Sequence, residues 1–142
     1  MSEIIPNLWV GNLDLTYDLE FLRSAQITHI VTVLEREHGT HAMAALRVVQ
    51  MSLRLDDLDD APIYDTFSPA CEFIDAALLE GGTVYVHCLM GISRSPTIVA
   101  AYLIWKRGIG LEEALRILRA ARPIIEPNNG FLSALLKWHV QK

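Results

Sequence analysis

The stretch from Thr83 to Trp105 limits the fold more than any other part of the 142-residue chain. It opens with Thr83-Val84-Tyr85-Val86, a β-branched and aromatic run that predicts a buried strand. It closes with Ile98 to Trp105, apolar nearly all round, which predicts a helix sunk in the core rather than laid upon it. Only a tight loop joins the two. Pro96 fits the first turn of the helix, where its missing N–H costs little, and Gly108 and Gly110 end it. A buried strand and a buried helix need further strands beside the one and further helices around the other.

The rest of the chain supplies them. Short β-branched runs at Leu8-Trp9-Val10, Thr28 to Val33 and Val48 to Leu53 predict strands. Helical spacing marks Asp14 to Ser24, Phe67 to Leu79, Leu111 to Arg122 and Phe131 to Val140. Pro69 is expected in the first turn of the second of these. Gly81-Gly82 stops that helix, and Pro127 to Gly130 is a turn. There is no internal repeat, low-complexity stretch or linker. The expected class is α/β: a small central mixed sheet of about five strands flanked by helices, in one domain over residues 1–142.

Composition narrows the function classes. Of the residues, 51% are apolar and 20% charged, ordinary for a soluble globular chain. No apolar run reaches the ~18 residues a membrane span needs. Met1 to Pro6 has no basic segment leading into a long apolar one, so no signal peptide is expected. The two cysteines, Cys71 and Cys88, are no disulfide framework. The five histidines form no zinc spacing. The expected setting is the cytosol or nucleus. A net charge of −5, with no Lys/Arg cluster, argues against nucleic acid or an anionic membrane as partner. The expectation is a monomer with no metal and no cofactor.

The loop between strand and helix carries the chemistry: His87-Cys88-Leu89-Met90-Gly91-Ile92-Ser93-Arg94-Ser95. A strand delivers a cysteine to its C-terminal end, and an arginine then opens a helix. The N–H groups of such a loop converge on an anion, with the helix dipole behind them. His87, Leu89, Met90, Gly91, Ile92 and Ser93 form the expected phosphate-binding loop. Gly91 lets the backbone turn in closely. Arg94 grips two phosphate oxygens with its planar fork. The same positive setting favours the Cys88 thiolate, which attacks and forms a phosphocysteine. Ser95 hydrogen-bonds the sulfur and helps it leave in the second step. His87 orients the cysteine through the backbone network and is not assigned as a base. A core cysteine that merely precedes a helix is the alternative, and the agreement of Gly91, Arg94, Ser95 and His87 weighs against it.

His87-Cys88-x-x-Gly91-x-x-Arg94-Ser95 resembles the signature of the protein tyrosine phosphatase superfamily. The chain around it resembles the small, dual-specificity branch. Ile5-Pro6-Asn7-Leu8-Trp9-Val10-Gly11-Asn12 is similar to the opening strand motif of that branch, and Ile27-Thr28-His29-Ile30-Val31 to its second. Phe73-Ile74-Asp75, Ala101-Tyr102-Leu103 and Pro127-Asn128-x-Gly130-Phe131 are similar to further landmarks, so the resemblance covers nearly the whole chain. It implies a protein-tyrosine-phosphatase-like fold of the atypical single-domain type. The leaving oxygen needs a proton, and a carboxylic acid on a loop is the usual source. Asp56-Asp57-Leu58-Asp59-Asp60 lies in the right place. Alignment on Phe73-Ile74-Asp75 places the role on Asp57, with Asp56 and Asp59 as alternatives and a merely solvated acidic loop as the plainer one.

The variable loop positions Leu89, Met90 and Ile92 are uncharged. Members that act on inositol lipids or RNA 5′ ends tend to carry basic or other polar residues there. The resemblance therefore implies phosphorylated protein substrates: phosphotyrosine and phosphoserine or phosphothreonine. The rivals are a phosphoprotein-binding adaptor without turnover, a phosphoinositide or RNA 5′ phosphatase, and a sulfur transferase. Cys71 is expected to be a small buried thiol, with a resolving disulfide to oxidised Cys88 as the alternative. Asn128 and Asn129 are expected to cap the last helix or tie its turn to a neighbouring loop. Glu35 to His41 resembles an exposed loop bordering the site, with nothing diagnostic in it.

Overall fold

The computed structural model describes residues 1–141. The strand that leads to the cysteine, β5 (Val84–His87), is the middle of a five-stranded mixed sheet ordered β1-β2-β5-β3-β4. β2 (Leu8–Gly11) and β3 (His29–Leu34) flank it in parallel, and β4 (Val49–Arg54) runs parallel to β3. β1 (Ser2–Ile5) closes the other edge, antiparallel to β2. The four strand runs read from the sequence are present, and β1 is the fifth. The chain turns back from β1 through Asn7, whose φ of 69° is left-handed, a conformation asparagine tolerates.

The helices are α1 (Leu19–Ser24), α2 (His41–Ala45), α3 (Tyr64–Leu79), α4 (Arg94–Arg107), α5 (Leu111–Ala121) and α6 (Asn129–Gln141). Side chains alternate across the sheet. Val84 and Val86 pack into a large core with α3 to α6. Tyr85 faces the smaller core of α1 and α2. Every residue of α4 from Arg94 to Ile104 is buried, as the all-round apolar pattern requires. Burying each of Ile98, Val99, Leu103 and Ile104 contributes about 1.5–3 kcal/mol, so the helix that opens at Arg94 is firmly held.

Three elements differ from the sequence pattern. Asp14 to Ser24 is not one helix. A 3-10 helix spans Leu13–Tyr17, and Asp18 then caps α1, its Oδ1 accepting from Phe21 N at 2.9 Å. A capping side chain competes with continuation of the helix before it. α3 starts at Tyr64, so Pro69 lies inside the helix rather than in its first turn. Pro69 is exposed, and water can serve the Asp65 carbonyl that it leaves without an N–H. Helix α2 follows the Glu35–His41 loop, capped by Thr40 Oγ1 accepting from Met43 N at 3.1 Å. Among the described residues no helix is long and apolar enough to cross a membrane.

Candidate active site

Between β5 and α4, residues 88 to 93 wrap around the Cys88 sulfur. Cys88 is buried, Gly91 N donates to Sγ at 3.2 Å, and Ser95 Oγ lies 3.2 Å from Sγ. Gly91 takes φ 71°, and a Cβ there would strike the Gly11 backbone and the Arg122 guanidinium, so no other residue fits. The loop is clamped from outside by its carbonyls. Leu13 N donates to Leu89 O at 3.1 Å, and Glu126 N to Ile92 O at 2.8 Å. Arg122 donates from Nε to Gly91 O at 2.8 Å and from Nη2 to Met90 O at 3.1 Å. A planar peptide that turns its carbonyl out turns the next N–H in, which makes an anion cradle.

Arg94 is 7% exposed, and its Nη1 donates to Leu55 O and Glu35 Oε2, both at 3.0 Å. These two acceptors hold the guanidinium at the edge of the loop. Glu35 titrates below the usual carboxylate range because its own backbone N–H and the Arg94 guanidinium both stabilise the carboxylate. Sequence reasoning found nothing diagnostic at Glu35. The signal was its position just past the C-terminal end of a parallel strand, where α/β sites gather.

Asp57 shares a pocket of about 310 Å³ with Cys88, Leu89, Met90, Ile92, Ser93 and Arg94. Its Oδ1 accepts from Ser93 Oγ at 2.7 Å and from Asn128 Nδ2 at 2.9 Å, and Asn128 N donates to Ser93 Oγ at 3.1 Å. Asn128 also caps α6, its Oδ1 accepting from Phe131 N at 2.8 Å. It therefore does both things expected of the Asn128-Asn129 turn. Asp56 does not line this pocket, and Asp59 turns to Gly130 N at 3.4 Å. A larger, shallower hollow of about 600 Å³ between Tyr17 and residues 39–44 contains no cysteine. Among the described residues no group of three His, Cys, Asp or Glu could hold a metal.

Behind the loop runs a hydrogen-bonded relay that the sequence did not announce. His87 Nδ1 lies 3.1 Å from Cys88 O, a carbonyl that can only accept, so Nδ1 carries the hydrogen. Nε2 then accepts from Thr32 Oγ1 at 2.8 Å, and Thr32 Oγ1 accepts from Gln50 Nε2 at 2.8 Å. Burial pushes the His87 pKa down from 6.5 to about 4, so the ring is neutral at neutral pH. The unfolded chain takes up this proton first as pH falls. Stability should therefore be full above pH 6.5 and fall between pH 6.5 and 4, by up to about 3 kcal/mol. Urea unfolding at pH 7 and pH 5 checks this, and His87→Gln should remove that part of the slope. Cys71 is buried at the α3–α4 seam, and burial, with the charges of Asp75 and Glu72, pushes its thiol up to about 12. Such a thiol is inert at neutral pH, which fits a packing residue.

The sequence model of the family described as dual specificity phosphatase, catalytic domain, matches residues 8–141. The chain belongs to the dual specificity phosphatase family. Among relatives in this family, dual specificity protein phosphatase 15 of Mus musculus is 35% identical over 135 residues, covering 95% of this chain and 56% of the mouse protein. Dual specificity protein phosphatase 1B of Arabidopsis thaliana is 38% identical over 136 residues, covering 95% of this chain and 79% of the plant protein. The crystal structure of DUSP15 superposes with a TM-score of 0.93 at 33% identity, covering 99% of this chain and 88% of that one. The chain thus spans about half the length of the mouse dual specificity phosphatase. The mixed sheet with its flanking helices is the protein-tyrosine-phosphatase-like fold of this family.

Proposed function

We propose that the chain is a cysteine-dependent protein phosphatase that removes phosphate from phosphotyrosine and from phosphoserine or phosphothreonine through a phosphocysteine on Cys88. The observation that carries this is the Cys88 sulfur, bound by Gly91 N–H and Ser95 Oγ, in one pocket with Arg94 and Asp57. In the first step the thiolate attacks phosphorus. The S–P bond forms and the ester P–O bond breaks, while Arg94 and the loop N–H groups hold the other phosphate oxygens. Asp57 gives a proton to the leaving oxygen. Its Oδ1 is occupied by Ser93 and Asn128, which leaves Oδ2 for that proton. In the second step water attacks phosphorus, Asp57 takes the water's proton and the S–P bond breaks. The Ser95 hydroxyl donates to the departing thiolate. The scheme needs no metal and no cofactor.

In this reading residues 1–142 make one catalytic domain, acting as a monomer on phosphorylated proteins in the cytosol or nucleus. The apolar loop positions Leu89 and Met90 support a single phosphate on a protein side chain over a lipid or RNA end bearing several. The test is a substrate panel: phosphotyrosine and phosphothreonine peptides, a phosphoinositide, 5′-phosphorylated RNA and an aryl phosphate. The phosphopeptides should lead the lipid and the RNA in kcat/KM by at least about ten-fold. A lipid or RNA that equals them overturns the substrate assignment. Phosphopeptide binding without turnover of any substrate would make the chain an adaptor.

A further inference from the structure

The mouth of the pocket combines exposed apolar side chains with carboxylates that, among the described residues, join no ion pair. Leu58, Leu89, Met90 and Ile124 are 56%, 45%, 60% and 56% exposed. Leu89 and Met90 line the pocket, and Leu58 follows Asp57. Ile124 lies between Arg122 and Glu126, both hydrogen-bonded to the phosphate-binding loop. Three of the cations nearby are paired with carboxylates. Arg36 and Arg94 pair with Glu35 at 2.7 and 3.0 Å, and Arg54 pairs with Glu37 at 3.3 Å. The Arg122 guanidinium lies on loop carbonyls, and Arg119 Nε on Ile125 O at 3.1 Å; these acceptors are neutral, so both side chains keep their charge. Asp56, Asp60 and Glu126 are exposed and, among the described residues, join no ion pair.

A phosphate that reaches the pocket is compensated there by Arg94, the loop N–H groups and the α4 dipole. Its neighbours on the same chain are not. A second phosphate or a carboxylate beside the phosphorylated residue would enter a region where the unpaired carboxylates Asp56, Asp60 and Glu126 outnumber the unpaired cations Arg119 and Arg122, and like charges across an interface are costly. A basic neighbour gains from the same field. An apolar neighbour covers Leu58, Met90 and Ile124 and removes their surface from water. We propose that this mouth selects a singly phosphorylated protein segment whose adjacent residues are apolar and basic, and rejects segments with a second phosphate or an acidic run. This inference rests on the protein-phosphatase function proposed above and adds the class of segment.

Three phosphotyrosine peptides of equal length test it: one flanked by Arg and Leu, one by Asp and Glu, and one with a phosphothreonine two residues away. At low salt the Arg/Leu peptide should lead both others in kcat/KM by about ten-fold or more, and the lead should shrink as salt is added. The variant Asp60→Lys should narrow or reverse the order while turnover of p-nitrophenyl phosphate, which has no flanks, stays unchanged. If the lysine unfolds the chain, Asp60→Asn should narrow the order in the same direction. Equal kcat/KM for the three peptides, a lead for the acidic one, or an order that no folded variant moves would overturn the inference. Turnover of p-nitrophenyl phosphate without flank discrimination overturns this inference alone. No turnover of p-nitrophenyl phosphate by the unaltered chain would overturn the phosphatase function itself.

Discussion

Cys88→Ser is expected to abolish turnover of aryl phosphate and phosphopeptide alike, lowering kcat on the order of 10,000-fold or more. The substitution exchanges one atom, and the rest of the cradle has no reason to move. Gly91 N–H still points inward, Arg122 still holds the Met90 and Gly91 carbonyls, and Arg94 keeps Leu55 O and Glu35. What is lost is the ionised nucleophile, because a serine hydroxyl with no base beside it attacks poorly. His87 cannot serve as that base: its Nε2 is taken by Thr32 and its Nδ1 by the Cys88 carbonyl. Binding of a phosphopeptide, followed by anisotropy or calorimetry, should persist in the variant. Turnover within ten-fold of the unaltered chain would sink the phosphocysteine scheme.

Asp57→Ala is expected to lower kcat for phosphopeptides by about 100- to 10,000-fold, the usual contribution of a positioned acid, with substrate affinity nearly unchanged. The loss should be smaller for aryl phosphates with good leaving groups, which need less help from a proton. Asp57 also anchors Ser93 and Asn128, so alanine removes a clamp together with an acid. Asp57→Asn separates the two roles: its Oδ1 can still accept from both partners, but it has no proton of the right acidity to give. Asn and Ala variants that are equally slow assign the effect to the proton. Asp59→Ala is the control. Among the described residues the Asp59 side chain bonds only Gly130 N, and a large loss there with none at Asp57 would move the acid from Asp57 to Asp59.

Much of this site was legible because its parts are contiguous. The Cys88 loop is fixed at both ends by a strand and a helix whose burial follows from composition alone, and Gly91, Arg94 and Ser95 lie within a few residues of the sulfur. What contiguity does not reach was not legible. Thr32 meets His87 because β3 lies beside β5 in register, and nothing in two short β-branched runs states which strands are neighbours. The same adjacency brings Glu35 to Arg94 across 59 positions. Asp57 stood out from four acids in five only through the family resemblance, since sequence spacing cannot say which carboxylate faces inward. The failures of local structure have local causes. Leu15, Leu19 and Leu22 keep one face whether or not the helix is interrupted, so apolar spacing cannot see the break at Asp18. Helix α2 is one short turn, too brief for any period to show.

The start of α6 fits against the acidic loop with no room to spare. A Cβ at Gly130 would overlap the Asp59 carbonyl, and Asn128 and Gly130 each hold a carboxylate 71 positions away. These two segments therefore cannot drift apart independently over evolutionary time. An insertion in the acidic loop, or any side chain at position 130, has to be answered by a change in the other. They behave as one heritable unit split in two by the fold. A designer who grafted the acidic loop onto another scaffold without this helix start would transplant the carboxylate but not its aim.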